Sequence, residues 1–370
     1  MDTNIQNKYK WIMILHALGD TIGFKNGDWE FNYFNTDIQV IDFVNELIYE
    51  FIHLGGVNGI NLSEWKISDD TFFHIAIAES LLHYDGTISN NFINVVKNNM
   101  QNALIDIIED EKKHSIKRYV GFTTAQSIRN FSESHDARDA EYNDEGGGNG
   151  CAMRSLVIGM CLFGEKNRRK LIDCSIITSQ LTHNNPIGYL GGFTAALFTA
   201  LALENIPLDK WPFILIDELV SDKLKSFVDS KNLDQAWDYN LYLKNWKKYI
   251  ATRFIDGIPI KNKAFTNPLY RIRYYYDNFF KDTNSTQIGG SGFLCMIIAY
   301  DALLVCDGKW EKLIVYGMLH NGDSDTIGAI AGGLYGAVYG KGDVPDTMLK
   351  YIEKKDKLDN LAKKLFDRFN

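Results

Sequence analysis

Two short stretches of the chain place several oxygen-bearing side chains at the start of an apolar helical pattern. The first is "SDDT" at 68–71, which runs into "FFHIAIAESL". The second is "DSDT" at 323–326, which runs into "IGAIAGGLYGAVYG". Serine, aspartate and threonine are preferred helix N-caps, so helix capping is the ordinary interpretation of either stretch alone.

Each stretch carries more side-chain oxygens than a cap can use. Only one residue can be the N-cap, and residues one or two positions apart do not share a helix face. The two acids of each stretch therefore converge only where a helix begins, and they repel each other unless a cation lies between them. A donor set made only of oxygens suits Mg²⁺ or Mn²⁺ rather than Zn²⁺, and we expect a binuclear site. The six candidate donors are Ser68, Asp69, Asp70, Asp323, Asp325 and Thr326.

Helices must position these acids. Apolar residues recur at three- and four-residue spacing over 36–54, 71–83, 92–108, 152–163, 170–181, 188–203, 212–228, 292–306, 310–319 and 326–338. Strand-like alternation and two-residue hairpin signals are scarce, and the chain has only six prolines. This pattern predicts an all-α protein. Without a linker, a repeat or a low-complexity segment, we expect a single compact domain over 1–370, in which 205–285 is the most polar and least distinctive part.

Composition excludes several classes of protein. The 370 residues are 45% hydrophobic and 13% aromatic, which allows a large core. A net charge of −8 argues against a nucleic-acid partner, which would need a basic face. Five scattered cysteines without a C-x-x-C pair are typical of reduced thiols, so we expect a cytoplasmic protein.

Two apolar runs could be mistaken for membrane or targeting segments. "WIMILHAL" at 11–18 is short and lacks a cleavage site, so we interpret it as the first core helix rather than a signal peptide. "YLGGFTAALFTALAL" at 189–203 falls short of the ~20 residues that a membrane span needs. We interpret it as a buried helix and expect no membrane partner.

Five segments, in order, resemble the ADP-ribosylglycohydrolase family and look closest to the ADP-ribosylarginine hydrolases. They span residues 19 to 340, nearly the whole chain. The segments are "GDTIGFKNGDWEF" (19–31), "SDDTFFHIAIAESL" (68–81), "EGGGNGCAMRSLVIGM" (145–160), "THNNPIGYLGGFTAALFTA" (182–200) and "HNGDSDTIGAIAGGLYGAVYG" (320–340).

The resemblance implies an orthogonal all-α bundle that removes ADP-ribose from proteins with two Mg²⁺ or Mn²⁺ ions. It makes the six donors named above the metal ligands, so the residue chemistry and the resemblance agree. Glu30, in "NGDWEF", matches a glutamate near the scissile bond and becomes a candidate gate or acid/base residue beside Asp69 and Asp70. An ordinary capping or surface role for Glu30 remains the alternative.

The resemblance also implies a binding site for the ADP-ribose group. "GGGNG" at 146–150 opens a helix, where backbone N–H groups and the helix dipole favour a pyrophosphate. Arg154 could pair with phosphate or form an intrahelical salt bridge. His183 has no acid partner nearby in sequence, which favours a structural histidine. The residues expected around the substrate are Gly121, Phe122, Thr123, Gly147, Gly148, Asn149, Arg154 and Gly188.

Two departures from the family pattern concern the ligand pocket. The segment "NSTQIGGSG" at 284–292 has Ile288 where the family usually carries an aromatic residue near the ligand. The family's "THHHP" is "THNNP" here, so any role of the second and third histidines is lost. Neither change affects the metal acids.

The expected reaction is hydrolysis of the bond between ADP-ribose and an arginine side chain. Two alternatives remain open: a catalytically silent protein that binds ADP-ribose, and a hydrolase of ADP-ribosylserine, poly-ADP-ribose or O-acetyl-ADP-ribose. The expected partners are ADP-ribosylated proteins and ADP-ribose, and we expect a monomer.

Overall fold

In a computed structural model that describes residues 3–30, 37–131, 141–228, 232–283 and 285–370, the chain folds almost entirely into helices. The first nine are α1 (Thr3–Phe24), α2 (Asp37–His53), α3 (Gly56–Gly59), α4 (Asp69–Leu81), α5 (Asn90–His114), α6 (Phe122–Arg129), α7 (Ala152–Cys161), α8 (Arg168–Gln180) and α9 (Pro186–Leu203). The next nine are α10 (Trp211–Leu219), α11 (Asp222–Lys225), α12 (Leu233–Arg253), α13 (Lys263–Thr266), α14 (Pro268–Asn278), α15 (Gly292–Val305), α16 (Trp310–Gly317), α17 (Ser324–Tyr339) and α18 (Lys355–Phe369). The prediction of an all-α protein is confirmed.

The centre of the molecule is built from helices that are buried on every side. All 18 residues of α9 are buried, and α15 is buried from Gly292 to Leu303. Helix α9 is long and apolar enough to cross a membrane, yet the whole of it lies inside the protein. It is the only helix of the described ranges that meets this length and composition. Its burial agrees with the prediction of a core helix at 189–203.

Helices α1 and α17 pack with their backbones in direct contact. A Cβ atom added to Gly19 would lie 1.9 Å from the carbonyl oxygen of Gly328. One added to Gly23 would lie 2.1 Å from the carbonyl oxygen of Ser324. Only glycine allows so close an approach, because any side chain would force the helices apart. This contact brings the C-terminal end of α1 to the start of α17, where the second pair of acids lies.

The polar region 205–285 is attached to the core through a buried ion-pair cluster. Asp301 of α15 accepts from Arg253 of α12 at 2.6 Å and from Arg271 of α14 at 2.7 Å. All three side chains are almost completely buried. A buried acid requires such partners, which explains why these helices can be polar and still pack on the core.

A small β-hairpin in the same region was not expected from the sequence. Strands β1 (Phe254–Ile255) and β2 (Ile258–Pro259) pair antiparallel, with Ile255 opposite Ile258. The turn residues Asp256 and Gly257 both have positive φ, at 51° and 75°. An Asp-Gly pair is favoured in such two-residue turns, so the signal was present but short.

Candidate metal centre and active site

The start of α4 carries the first pair of acids. Ser68 has an extended backbone, and its hydroxyl accepts the N–H of Asp70 at 3.2 Å, so Ser68 is the N-cap. Asp69 and Asp70 follow in the first turn, and both are buried. The capping interpretation therefore holds for Ser68 but leaves the carboxylates of both acids without a capping role.

The start of α17 carries the second pair. Asp323 occupies the N-cap position, but its side chain makes no capping hydrogen bond. Its N–H donates to the carbonyl oxygen of Ile288 at 3.0 Å, which fixes the turn before the helix. Oδ1 of Asp325 accepts the N–H of Thr326 at 2.8 Å. Capping thus does not explain why Asp323 is an acid.

The two helix starts meet at a cavity of about 220 Å³ that is lined by five carboxylates. They belong to Glu30, Asp69, Asp70, Asp323 and Asp325. One carboxylate oxygen from each of Glu30, Asp323 and Asp325 lies within 4.8 Å of the others. Thr326 lines the same cavity, whereas Ser68 is buried and does not line it. The structure therefore brings five of the six predicted donors to one cavity and adds Glu30 to them.

Burial and mutual repulsion disfavour the charged forms of these acids. Burial raises the pKa of Glu30 well above its ordinary value, and the charges of Asp325 and Asp323 add to the shift. For Asp70 the pKa is also raised well above the ordinary value, by burial and then by Asp325 and Asp69. Burial likewise raises the pKa of the remaining acids, which are Asp69, Asp323 and Asp325. Within the described ranges, no ion pair joins any of the five to a basic side chain.

The donor set fits a hard divalent cation. Oε2 of Glu30 and Oδ2 of Asp70 are buried without a hydrogen-bond partner. A buried carboxylate oxygen without a partner is unfavourable, and a bound cation would satisfy both atoms. All predicted donors are oxygens, the ligands that Mg²⁺ and Mn²⁺ prefer. These residues therefore fit the cation that the sequence predicts.

The residues just before Glu30 are held by contacts with α17 and α2. The hydroxyl of Ser324 lies 2.8 Å from the carbonyl oxygen of Gly23 and 3.2 Å from that of Trp29. The indole N–H of Trp29 donates to Glu50 of α2 at 2.8 Å. Ser324, between the two acids of α17, therefore ties the segment before Glu30 to the same helix start.

Asp20 of α1, which the sequence patterns did not single out, supports the start of α4. It is completely buried and accepts the N–H groups of Ser68 at 2.9 Å and Thr71 at 3.2 Å, as well as the hydroxyl of Thr71. Burial raises its pKa to about 6, although these hydrogen bonds lower it. Through these hydrogen bonds, Asp20 fixes the backbone at the start of α4. A signal existed, because an acid inside an apolar helix needs a buried partner, and "DTIG" at 20–23 recurs at 325–328.

The glycine segment before α7 pairs with the segment before α15. The N–H of Gly292 donates to the carbonyl oxygen of Gly147 at 3.0 Å, and the N–H of Asn149 donates to the carbonyl oxygen of Gly290 at 3.2 Å. The side chain of Asn149 also donates to the carbonyl oxygen of Gly289 at 3.0 Å. Gly148 and Asn149 line the acidic cavity, and Gly147 and Gly148 line a neighbouring cavity of about 360 Å³. The three predicted residues therefore lie beside the acids.

Residues at the start of α6 form the opposite wall of the acidic cavity. Gly121, Phe122 and Thr123 all line it. The Phe122 side chain is 77% exposed, so its ring stands at the opening rather than in the core. The hydroxyl of Thr123 donates to the carbonyl oxygen of Glu145 at 3.3 Å, which links this wall to the glycine segment.

Two predicted substrate contacts lie outside both cavities. The Arg154 side chain is buried and donates to the carbonyl oxygen of Gly150 at 2.7 Å and to the hydroxyl of Thr182 at 2.8 Å. These contacts direct the Arg154 guanidinium beneath the glycine segment. Among the described residues, it therefore neither faces a cavity that could hold a phosphate nor forms an intrahelical salt bridge. A Cβ atom on Gly188 would lie 2.2 Å from the carbonyl oxygen of Gly146. Gly188 therefore supports the glycine segment and is not a wall of the pocket.

His183 and Ile288 complete the surroundings of the acids. His183 lines the acidic cavity, and its Nδ1 lies 2.8 Å from the hydroxyl of Thr182, as expected for a hydrogen-bonded structural histidine. Ile288 is completely buried, and its carbonyl oxygen holds Asp323. Ile288 thus supports Asp323 instead of offering an aromatic face to a ligand.

A family profile and several known proteins match this chain. The profile of the ADP-ribosylglycohydrolase family matches residues 1–370. A provisionally named ADP-ribosyl glycohydrolase of Acanthamoeba polyphaga mimivirus is 36% identical over 332 residues, which cover 89% of this chain and 63% of that protein. The ADP-ribosylhydrolase ARH1 of Dictyostelium discoideum is 32% identical over an alignment that covers 99% of this chain and 95% of that protein. The ADP-ribosylhydrolase ARH3 of Danio rerio is 25% identical, over 70% of this chain and 69% of its own.

The fold is also that of a solved structure. A chain of an ADP-ribosylglycohydrolase-related protein complex superposes with a TM-score of 0.58 at 18% identity, over 99% of both chains. At that identity the likeness shows the fold alone. The family profile and the relative that is 32% identical over nearly all of both chains carry the assignment. This chain belongs to the ADP-ribosylglycohydrolase family.

Proposed function

We propose that the protein is a metal-dependent hydrolase that removes ADP-ribose from modified side chains by cleaving the N-glycosidic bond to arginine. The observation that carries the proposal is the cavity lined by five buried carboxylates without a basic partner in the described ranges. Family membership supplies the ADP-ribosyl group as the substrate class. The choice of arginine rests on the resemblance of "NGDWEF" at 26–31 to the arginine-type enzymes.

Two Mg²⁺ ions, with Mn²⁺ as the alternative, are the proposed cofactor. The residues that would hold them are Ser68, Asp69, Asp70, Asp323, Asp325 and Thr326. When bound, the ions would neutralise the carboxylates, orient the ribose 2′ and 3′ hydroxyls and activate a water molecule.

Glu30 and Asp70 are the proposed groups that move the proton. Each has a buried carboxylate oxygen at the cavity with no hydrogen-bond partner in the protein. One would accept the proton of the attacking water, and the other would keep the departing guanidinium protonated. The transition state would resemble an oxocarbenium ion, whose positive charge the surrounding acids favour.

The remaining residues of the cavity would orient the substrate. The glycine segment from Gly147 to Asn149 lies between the acidic cavity and its neighbour, where the backbone N–H groups of Gly147 and Gly148 could bind the diphosphate. Phe122, exposed at the opening, is placed to contact the modified side chain. Exclusion of water from the buried acids strengthens their electrostatic effect on the bond.

One experiment tests the proposal. The protein is incubated with ADP-ribosyl-arginine and ADP-ribosyl-serine peptides, in EDTA and with Mg²⁺ or Mn²⁺ added back. Release of ADP-ribose from the arginine peptide, abolished by EDTA and restored by either metal, is expected. Faster release from the serine peptide would replace the arginine assignment. ADP-ribose binding without release from either peptide would identify a silent binding protein.

A further inference from the structure

Arg118, in the connection between α5 and α6, lies directly behind the acids of α4. Its carbonyl oxygen accepts the N–H of Asp69 at 3.1 Å. Its guanidinium Nη1 donates to the carbonyl oxygen of Ile67, which lies two residues before Asp69. One residue therefore holds the backbone of the α4 start from both sides of Ser68, the N-cap.

The guanidinium is fixed by two acids from different parts of the chain. Nε donates to Oδ2 of Asp110 in α5 at 3.0 Å, and Nη2 donates to the same oxygen. Glu353, in the segment before α18, accepts from Nη1 at 2.9 Å and from Nη2 at 3.0 Å. Together with Ile67, these contacts match the five N–H donors of a guanidinium. Glu353 also accepts the N–H of Ile67 at 3.2 Å, which closes the arrangement around the α4 start.

Arg118 also adjoins the wall of the cavity. The next residue, Tyr119, lines the acidic cavity, as do Gly121 and Phe122. The Arg118 side chain is completely buried and does not line the cavity itself. The same residue thus connects the carboxylates on one side of the site to the substrate wall on the other.

We infer that Arg118 is a positioning residue for the reaction: its guanidinium and carbonyl set the place of Asp69 and Asp70 relative to the wall that begins at Tyr119. The inference rests on the proposed function of the cavity. Lysine could not replace Arg118, because a single ammonium group cannot contact Asp110, Glu353 and the carbonyl of Ile67 in this fixed planar arrangement.

The test compares Arg118→Lys with Arg253→Lys in the full chain. Arg253 is an equally buried arginine that pairs with Asp301 at 2.6 Å and donates to the carbonyl oxygen of Ile260. Its partners lie outside the acidic cavity, so it controls for loss of a buried ion pair. The readouts are amide hydrogen exchange over residues 67–71 in EDTA, the Mg²⁺ concentration that gives half of the thermal stabilisation, and kcat on the ADP-ribosyl peptide.

Arg118→Lys should speed exchange over 67–71 and raise the half-stabilising Mg²⁺ concentration by about tenfold to a hundredfold, the usual effect of losing a partner that orients metal ligands. It should lower kcat more than it raises KM. Arg253→Lys should lower the melting temperature while leaving exchange over 67–71 and the Mg²⁺ dependence as in wild type. If Arg118→Lys matches this control in all three readouts, Arg118 is only structural and the inference is wrong.

Two further results separate this inference from the proposed function. If the wild type shows no Mg²⁺ response and no hydrolysis, the proposed function fails, while exchange in EDTA still decides whether Arg118 orders the α4 start. If Arg118→Lys does not fold, Glu353→Gln serves instead, because it weakens the same contacts from a partly exposed position. It should change exchange over 67–71 and the Mg²⁺ dependence in the same direction by a smaller factor. Unchanged values in Glu353→Gln would overturn the inference.

Discussion

Asp323→Asn and Asp325→Asn distinguish a metal site from a pair of helix caps. Asp323 makes no capping hydrogen bond, and the contact of Asp325 with the N–H of Thr326 uses an oxygen that asparagine retains. Neither substitution should therefore weaken the helix in the metal-free protein. Because burial and neighbouring charges raise the pKa of Asp325 well above its ordinary value, removing its charge should stabilise the metal-free fold.

The size of the metal effect follows from mass action. A ligand at a hundred times its Kd adds about 2.7 kcal/mol to the free energy of unfolding. At about 2.1 cal/mol/K per residue, the entropy of unfolding of the whole chain is roughly 0.8 kcal/mol/K. Saturating Mg²⁺ at one site should thus raise the melting temperature by about 3–4 °C. Loss of an N-cap, about 1 kcal/mol, would lower it by a little over 1 °C whether or not Mg²⁺ is present.

The assay is a series of thermal melts in EDTA and in rising Mg²⁺, with hydrolysis measured on the same preparations. Both variants should melt at or above the wild-type temperature in EDTA, lose most of the Mg²⁺-dependent rise and hydrolyse poorly. Asp234→Asn is the control, because Asp234 is an exposed acid in the first turn of α12, outside the cavity. If the two cavity variants keep the Mg²⁺ response and the rate of Asp234→Asn, the metal assignment is refuted.

Three further predictions concern the same cavity. Glu30→Gln should lower kcat and leave ADP-ribose affinity nearly unchanged, because Oε2 of Glu30 lies at the acids without a partner; an unchanged rate in a peptide assay would return Glu30 to a structural role. In EDTA, the melting temperature of Asp325→Asn minus that of the wild type should increase as pH rises above about 4, the pKa of an aspartate in the unfolded chain. The reason is that the folded protein raises the pKa of Asp325, so ionisation of this carboxyl destabilises the wild type. A difference in melting temperature that is constant between pH 4 and 7 would contradict this. Phe122→Ala should change the free energy of unfolding by less than about 0.5 kcal/mol, since the side chain is 77% exposed, but should raise KM for the modified peptide; an unchanged KM would remove Phe122 from the substrate site.

Features with a local cause could be predicted from the sequence. The apolar pattern over 71–83 corresponds to α4 (Asp69–Leu81), and that over 326–338 corresponds to α17 (Ser324–Tyr339). Both helices follow oxygen-rich residues, and helix starts are decided by the few residues at the start itself. The repulsion within each acid pair predicted a cation beside it, and the all-oxygen donor set predicted that both pairs would contribute to one binuclear site.

Features with a distant cause could not be read from spacing. Asp20 binds the N–H of Ser68, 48 residues away, and only the packing of α1 on α4 shows this contact. Arg154 follows the glycine segment as a phosphate-binding arginine could, but its guanidinium reaches Thr182 instead. A side chain with five donors can turn toward many partners, and the chain position alone does not select one. The tertiary structure therefore places the Arg154 guanidinium at Thr182 and Gly150, outside both cavities.

The glycines of α1 and α17 belong to the site as much as the acids do. A Cβ atom on Gly328 would lie 2.3 Å from the carbonyl oxygen of Gly19, so the helices would have to separate by about 1 Å to restore an ordinary contact. Asp20 lies next to Gly19 and holds α4, whereas Asp325 lies three residues before Gly328. Separating α1 from α17 would therefore pull the two pairs of acids apart by a similar distance. Because a displacement of about 1 Å can reduce a rate a hundredfold, the close helix contact sets the geometry on which the chemistry depends.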